Sequence, residues 1–144
     1  MTDAGAETHM IFLLKRDLNN FALFECLKDE EGKKLLTEMY EAYLKVGETH
    51  KTKMLFLTPT WRASTAHMTG MGYEAADVEK YNVMGAEFMK NFRDKHPGVE
   101  LTIGGQIGPA GDGYVPDKLM TCKEAHKFHT PDVNGLAKGG VEWI

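Results

Sequence analysis

The sequence predicts an α/β fold built on a parallel sheet. Residues 53–57 are almost entirely apolar, which suits a strand that is buried on both faces. A second strand-like run covers residues 99–103, and long amphipathic stretches occupy about 29–48 and 74–95. This alternation of helix-like and strand-like segments is typical of βα units, in which right-handed crossover helices join parallel strands.

The spacing of apolar residues supports both long helices. In the first amphipathic stretch the residues at helical spacing are Leu35, Leu36, Met39, Ala42, Tyr43 and Val46. In the second stretch they are Ala76, Val78, Tyr81, Met84, Phe88 and Phe92. Pro97 and Gly98 end the second stretch, since neither residue favours the continuation of a helix.

A third helical region is predicted at about residues 121–138. Pro131 is expected to interrupt this region, because proline removes a helical hydrogen bond, and Gly139 with Gly140 closes it. The apolar run at 141–144 then predicts a third strand. We expect the three strands to be parallel neighbours, with the first two helices packed on one side of them.

The composition is that of one ordinary domain, residues 1–144. Apolar residues make up 42% and charged residues 26% of the chain, as in a typical globular protein. The net charge is −4 and no dense basic stripe occurs, so nucleic-acid binding is not expected. No membrane association is expected, because the sequence shows neither a long apolar run nor a signal peptide. Cys26 and Cys122 are therefore expected to be reduced thiols in a cytoplasmic protein.

A glycine-rich stretch, residues 103–116, follows the second predicted strand. It has neither the spacing of a dinucleotide-binding loop nor a Walker motif. Several residues without a helical pattern follow Gly113, whereas a phosphate-binding loop leads directly into a helix N-terminus. We therefore interpret the stretch as a tight βα loop whose glycines allow close backbone approach. In a parallel barrel such loops form the active-site face.

The loop after the first predicted strand carries Thr58, Pro59 and Thr60, followed by Trp61 and Arg62. One interpretation is a capped turn with a packed tryptophan and a solvated arginine. The other interpretation places Thr60 and Arg62 as polar groups at the mouth of a site.

The cysteines and histidines offer one candidate metal site. Cys122, His126 and His129 are spaced i, i+4 and i+7, so an unbroken helix would place three zinc-type ligands on one face. A lysine-rich surface helix with unrelated histidines is the simpler interpretation. Cys26 has apolar neighbours and is expected to be a buried, unreactive thiol. The two histidines at positions 9 and 50 are expected in ordinary loops.

Four stretches together resemble the homocysteine S-methyltransferase family, whose members fold as (β/α)8 barrels. They are "TDAGAETHMIF", "LFLTPTWRAS", "IGGQIGPAGDGY" and "AKGGVEWI", and they follow one another in the family's order. The resemblance implies a partial (β/α)8 TIM barrel made of roughly the first three to four βα units. It also implies methyl transfer to the thiol of homocysteine, which gives methionine.

The same resemblance implies a substrate site and a cofactor. It assigns substrate binding to Asp3, Gly5, Thr8, Thr58, Thr60 and Gly108, and leaves the catalytic residues unknown. Ala4 replaces the first glycine of the family's Asp-Gly-Gly motif. In the family a zinc ion held by three cysteines binds the homocysteine thiol as thiolate, and the methyl donor is a compound such as S-methylmethionine, betaine or a folate.

The zinc cysteines of the family follow later strands of the barrel and have no counterpart in this sequence. Because such a barrel has about 250 residues, we expect the chain to be truncated, to lack a metal site and to be inactive alone. Two alternatives are a non-catalytic α/β module that binds a small molecule or a partner, and a half-barrel that assembles with a second chain. Open strand edges also predict possible self-association.

Overall fold

A computed structural model describes residues 1–111, 113–115 and 119–144 of the chain. Its strands are β1 (Met54–Leu57) and β2 (Leu101–Gly104). Its α-helices are α1 (Ala6–Thr8), α2 (Glu30–His50), α3 (Thr65–Gly70), α4 (Ala75–Asp94) and α5 (Cys122–Gly139). A π-helical turn, His9–Leu13, follows α1, and 3₁₀ turns at Asn19–Phe21 and Leu23–Lys28 lead into α2. The architecture is therefore mixed α/β, with long helices between short strands.

The two strands pair in parallel, with Met54 opposite Leu101 and Leu57 opposite Gly104. The prediction that residues 53–57 and 99–103 are parallel neighbours is confirmed, and each run is shortened by one or two residues at its start. The predicted strand at 141–144 is reduced to a single parallel bridge between Trp143 and Gly104. Glu142 and Trp143 nevertheless bond to the β2 edge, because the Glu142 amide donates to the Ile103 carbonyl over 3.0 Å.

The N-terminal residues occupy a strand position that the sequence did not indicate. Thr2 forms a parallel bridge with Leu55, and the Leu55 amide donates to the Met1 carbonyl over 2.8 Å. The order across the sheet is therefore N-terminal segment, β1, β2 and the Trp143 segment. All four backbone segments run in the same direction.

Side-chain caps explain where the long helices begin. The Asp29 carboxylate accepts a hydrogen bond from the Gly32 amide at the start of α2. Glu74 with Asp77 forms a capping box at α4, and Thr121 with Glu124 forms another at α5. The predicted helices at about 29–48 and 74–95 are confirmed with small shifts of their ends.

The prediction that Pro131 interrupts the third helix is wrong, because α5 continues through it to Gly139. Tight packing on α4 explains this continuity. A Cβ atom added at Gly135 would lie 2.7 Å from the Glu79 carbonyl oxygen, and one at Gly139 would lie 2.4 Å from the Ala86 Cβ. The two glycines let the helix axes approach closely, and the contact energy outweighs the hydrogen bond that proline removes.

The helices cover one face of the sheet. Phe56 is fully buried, and its ring lies 5.5 Å from that of Tyr40 in α2 and 6.1 Å from that of Phe92 in α4. Leu55 and Leu57 point to the opposite face and are only half-buried. The structure thus has one well-packed layer and one sheet face that the described residues cover only in part.

Two predicted loop histidines lie in helices instead. His9 begins the π-helical turn, where its ring lies 5.8 Å from that of Tyr43, and His50 is the last residue of α2. Local periodicity does not reveal the placement of His9, because its ring contacts Tyr43 in the distant helix α2. Within the described part of the chain, no helix combines the length and apolar character that a membrane span requires.

Candidate functional site

Three segments meet at the carboxyl ends of the strands. The Leu57 amide donates to Asp3 Oδ2 over 3.3 Å, which places Asp3 beside the end of β1. The Thr58 amide donates to the Gly104 carbonyl over 2.9 Å and so joins the loop after β1 to the loop after β2. The predicted convergence of the loops that begin at Asp3, Thr58 and Gly104 is therefore observed. In parallel α/β folds this end of the sheet is where ligands bind.

Thr58 and Thr60 form a closed set of hydrogen bonds with one residue of the glycine-rich loop. The Gln106 amide donates to Thr58 Oγ1 over 2.9 Å, and Thr60 Oγ1 donates to the Gln106 carbonyl over 2.8 Å. The two hydroxyl oxygens lie 2.7 Å apart. Because the Thr60 proton is used on Gln106, Thr58 donates to Thr60. Both threonines are buried and join the two loops, while their assignment to substrate binding remains a prediction.

Gly108 allows the glycine-rich loop to lie against Trp61. A Cβ atom at position 108 would lie only 2.2 Å from the Trp61 carbonyl oxygen and 2.8 Å from its indole ring. A side chain is excluded there because both neighbouring groups are rigid. The interpretation of this stretch as a tight βα loop, with glycine at points of close approach, agrees with the described residues. Positions 112 and 116 of the stretch lie outside them.

Asp3 is a buried carboxyl group whose negative charge is stabilised by few hydrogen bonds. Its side chain is 8% exposed, and Oδ1 has no hydrogen-bond partner among the described residues. Burial raises the pKa of Asp3 to about 6, and the hydrogen bond from the Leu57 amide opposes that rise. At neutral pH the group is mainly ionised, at a cost in folding free energy. Such a residue at the end of a strand is typical of a ligand-binding site.

The other two residues of the first loop are exposed. Gly5 adopts a left-handed conformation (φ 53°) just before α1, and its carbonyl accepts the His9 amide over 2.8 Å. Thr8 lies at the end of α1 with its side chain in solvent. The Tyr43 hydroxyl donates to the Ala4 carbonyl and ties this loop to α2. The structure thus brings Asp3, but not Thr8, into the buried part of the strand ends.

Arg62 is held in place by two neighbours. Its guanidinium lies 4.1 Å from the centroid of the Trp61 ring, and Nη1 lies 2.7 Å from His67 Nε2. His67 Nε2 also lies 3.1 Å from the Pro109 carbonyl oxygen in the glycine-rich loop. Burial lowers the pKa of His67, and the adjacent Arg62 charge lowers it further. His67 is therefore neutral at neutral pH, and Arg62 keeps its positive charge.

Glu7 is a partly buried carboxyl group close to Asp3 and Arg62 that the sequence analysis did not single out. Burial raises the pKa of Glu7, and the positive charge of Arg62 acts in the opposite direction. The charge of Glu7 in turn raises the pKa of Asp3 slightly. Asp3 and Glu7 are four residues apart, and Gly5 between them is left-handed. No sequence periodicity therefore indicates that Glu7 lies close to Asp3 and Arg62. His67 was missed for the same reason, because its partner Pro109 is distant in sequence.

The residues present do not fit the zinc site of three cysteines. Cys26 is buried, and burial raises the pKa of its thiol to about 11, with the Arg16 charge opposing the rise. Cys122 is exposed at the start of α5. His129, the third member of the predicted helix face, instead lies 3.4 Å from the buried carboxylate of Asp132. In the described ranges, no three His, Cys, Asp or Glu side chains are grouped so as to hold a metal ion.

Comparison with known proteins identifies the family of the chain. The family model for homocysteine S-methyltransferase matches residues 2–144, which is nearly the whole chain. The chain belongs to the homocysteine S-methyltransferase family. The sequence resemblance inferred from the four stretches is thereby confirmed.

A solved structure shares the fold of this homocysteine S-methyltransferase family chain. The fold is similar to that of the homocysteine methyltransferase MmuM from Escherichia coli, crystallised in its oxidized form, with a TM-score of 0.76 at 19% sequence identity. The similarity covers 94% of this chain and 48% of the MmuM chain. No curated protein sequence matches the chain significantly. At this identity the structural similarity concerns the fold, and the chain spans about half the length of MmuM.

Proposed function

We propose that the strand-end loops of this chain bind the amino-acid part of homocysteine for methyl transfer to its thiol, giving methionine. The observation that carries the proposal is the buried carboxyl group of Asp3 at the carboxyl end of β1, with one oxygen that lacks a partner among the described residues. An α-ammonium group would satisfy that oxygen and stabilise the carboxylate. Family membership supplies the substrate class, and the motif position of Asp3 supplies the role.

The proposal includes a (β/α)8 barrel, of which this chain forms the first βα units. The order of four parallel backbone segments, with helices on one face, supports a barrel wall. The other sheet face carries the half-buried side chains of Leu55 and Leu57 and the Trp143 ring, 43% of whose surface is exposed. In a barrel this face would be the interior, which further strands would cover. We also place the protein in the cytoplasm, since both cysteines are free thiols.

Methyl transfer to the homocysteine thiol requires a group that activates the thiol, and these residues do not supply one. A free thiol titrates near 8.5, so only about a few per cent is thiolate at neutral pH. In the family, zinc supplies the activation, and the two cysteines of this chain do not form such a site. The role of the described residues is therefore to bind and orient the amino acid. We expect the chain by itself to bind homocysteine but not to form methionine.

Calorimetric titration of the purified chain with homocysteine tests the binding. Wild type is expected to bind, and Asp3→Asn is expected to weaken binding about tenfold or more, because a charged hydrogen bond is lost. Asp94→Asn is the matched control, since its carboxylate is exposed at the end of α4. Equal affinity of wild type and Asp3→Asn would contradict the proposal.

A methyl-transfer assay tests the second half of the expectation. The chain is incubated with zinc, homocysteine and S-methylmethionine, betaine or a methyl folate, and methionine is measured. No methionine is expected. Methionine formation that is lost in Cys122→Ser would show that the face of α5 holds a functional metal after all.

The partly covered sheet face favours a second candidate role, assembly with another chain. Exposed strand edges and apolar faces promote association. A half-barrel would bury both by pairing with a second copy or with a separate second half. Sedimentation of the purified chain over a range of concentrations tests this. A concentration-dependent dimer would support assembly, and a monomer at all concentrations would contradict self-association.

A further inference from the structure

We propose that Arg62 and Glu7 form a bipolar pair that recognises the charged end of an α-amino acid, with Arg62 binding the α-carboxylate and Glu7 assisting Asp3 at the α-ammonium group. This inference rests on the proposed function, because it concerns the same strand-end site. It adds specificity residues that the family resemblance did not assign. The ligand class is a free α-amino acid, which is either the thiol acceptor or an amino-acid methyl donor.

The placement of Arg62 suits a preorganised carboxylate site. Stacking on Trp61 and the contact with His67 hold the guanidinium in one orientation, which lowers the entropic cost of binding. The Nε atom is buried and has no hydrogen-bond partner within the described part of the chain. Nor does any described carboxylate lie within ion-pair distance of this guanidinium. A buried donor on a charged group is costly unless a partner arrives, and a carboxylate is the partner that its fork matches.

His67 does not neutralise the arginine. Burial lowers the pKa of His67, so the imidazole is uncharged at neutral pH, and in neither protonation state does it carry a negative charge that could pair with Arg62. The contact of His67 with the Pro109 carbonyl instead fixes the pair to the glycine-rich loop. The positive charge of Arg62 is therefore available to an anionic group of a ligand.

Glu7, in α1, supplies the opposite charge. Its Oε1 atom is buried, again without a partner among the residues that the structure describes. Arg62 and Glu7 are near enough for the arginine to lower the pKa of the carboxyl group, yet they do not form an ion pair with each other. Asp3, four residues earlier, has the same unpartnered arrangement at Oδ1. These opposite charges, each with a buried atom that lacks a partner among the described residues, complement the two charged groups of a zwitterion.

Binding selectivity separates this arrangement from a merely structural one. The full chain is titrated by calorimetry with homocysteine, with its analogue that lacks the carboxylate, and with its analogue that lacks the amine. Wild type is expected to bind homocysteine about tenfold or more tightly than either analogue. Arg62→Gln is expected to abolish the preference over the carboxylate-free analogue only. Glu7→Gln is expected to reduce the preference over the amine-free analogue only.

Controls keep this test decisive. Arg93→Gln removes an arginine near the end of α4, where it pairs with Glu142, and is expected to leave all affinities unchanged. Arg62→Lys keeps the charge but not the fork, and is expected to retain part of the selectivity. Circular dichroism confirms that each variant is folded. Equal weakening of all three ligands by Arg62→Gln, or no weakening of these ligands or of S-methylmethionine, would overturn the inference.

A parallel titration with S-methylmethionine identifies the source of the amino-acid group. An Arg62 effect on S-methylmethionine alone assigns the pair to the methyl donor, and an effect on homocysteine assigns it to the acceptor. If Asp3→Asn loses homocysteine binding while Arg62→Gln weakens the binding of neither homocysteine nor S-methylmethionine, the inference fails and the proposed function stands. If Arg62 governs binding of amino acids without regard to the thiol, the inference stands and the proposed function fails. A wild-type chain that binds none of these amino acids overturns both.

Discussion

The hydroxyl oxygens of Thr58 and Thr60 lie 2.7 Å apart, and each also bonds to the backbone of Gln106. The cycle links the loop after β1 to the loop after β2, and every hydroxyl proton in it has an acceptor. Both side chains are buried, so water cannot replace a lost bond. The shape of the strand-end surface therefore depends on two hydroxyl groups in a Thr-Pro-Thr sequence.

Thr60→Val is predicted to destabilise the protein by about 1–3 kcal/mol, because the Gln106 carbonyl and the buried Thr58 hydroxyl lose their partner. The change preserves the side-chain shape, so the cost reflects the hydroxyl. Urea unfolding measures the effect. Thr69→Val is the control, since the Thr69 hydroxyl is exposed on α3 and bonds only to its own helix; it should cost less than about 0.5 kcal/mol. A smaller loss in Thr60→Val than in Thr69→Val would contradict the hydrogen-bond cycle.

Gly108→Ala is predicted to displace the glycine-rich loop from Trp61. The added Cβ atom would lie 2.2 Å from a backbone oxygen, which cannot move without a shift of the loop after β1. Trp61 fluorescence is expected to change, and the free energy of unfolding to fall by about 1–3 kcal/mol. Gly111→Ala, in the same loop, adds a Cβ atom with no atom of the described residues within 4 Å and should leave both measurements unchanged. Identical behaviour of the two variants would contradict the close contact.

Asp3 is predicted to make the protein less stable as the pH rises. Burial raises the pKa of this group from 3.8 to about 6 in the folded protein, so the folded state holds the proton more tightly than the unfolded state. Between about pH 4 and pH 6 the unfolded state releases its proton first, and the free energy of unfolding falls. Above pH 6 the loss is complete and persists. At about 1.4 kcal/mol per pKa unit, the loss is at most about 3 kcal/mol.

Asp3→Asn is therefore expected to raise the stability at neutral pH by about 1–2 kcal/mol relative to wild type, while weakening homocysteine binding. The difference in the free energy of unfolding between the two proteins should vanish near pH 4. Urea unfolding at a series of pH values measures it, with Asp94→Asn as the control for loss of an exposed carboxylate. Greater stability combined with weaker binding would mark Asp3 as a functional group. If wild type were the more stable protein at neutral pH, the described burial of Asp3 would be incorrect.

The two thiols are predicted to react very differently. Cys122 is exposed and Cys26 is buried with its pKa raised to about 11, so a thiol reagent at neutral pH should modify one group rapidly. Cys26 should react only as the chain unfolds. Cys122→Ser is expected to abolish the rapid phase and leave the slow one. Two rapid reactions in the wild type would show that the segment around Cys26 is open.

Part of this architecture is encoded in short stretches of the sequence. The apolar periodicity of α2 and α4 and the Thr121 to Glu124 capping box are local patterns, and local patterns set helix ends. The continuous apolar run of β1 likewise predicted a buried parallel strand, and the family resemblance predicted that the loops beginning at Asp3, Thr58 and Gly104 meet at the strand ends.

Other features depend on contacts between residues that are distant in sequence. Pro131 remains inside α5 because Gly135 and Gly139 let that helix pack closely on α4, and no pattern around the proline reveals this. The run after Gly140 shortens to a bridge at Trp143, whose ring packs over Gly104.

For the site, the sequence by itself determined the loops and the family, including Asp3 and the Thr58 to Thr60 turn. Only the tertiary structure decided that Glu7, Arg62 and His67 belong to the same region. Their proximity follows from the parallel pairing of Thr2 with Leu55 and from the stacking of Arg62 on Trp61. Strand register and side-chain direction are set by the packing of the whole chain, and so they leave no periodic signal in any single segment.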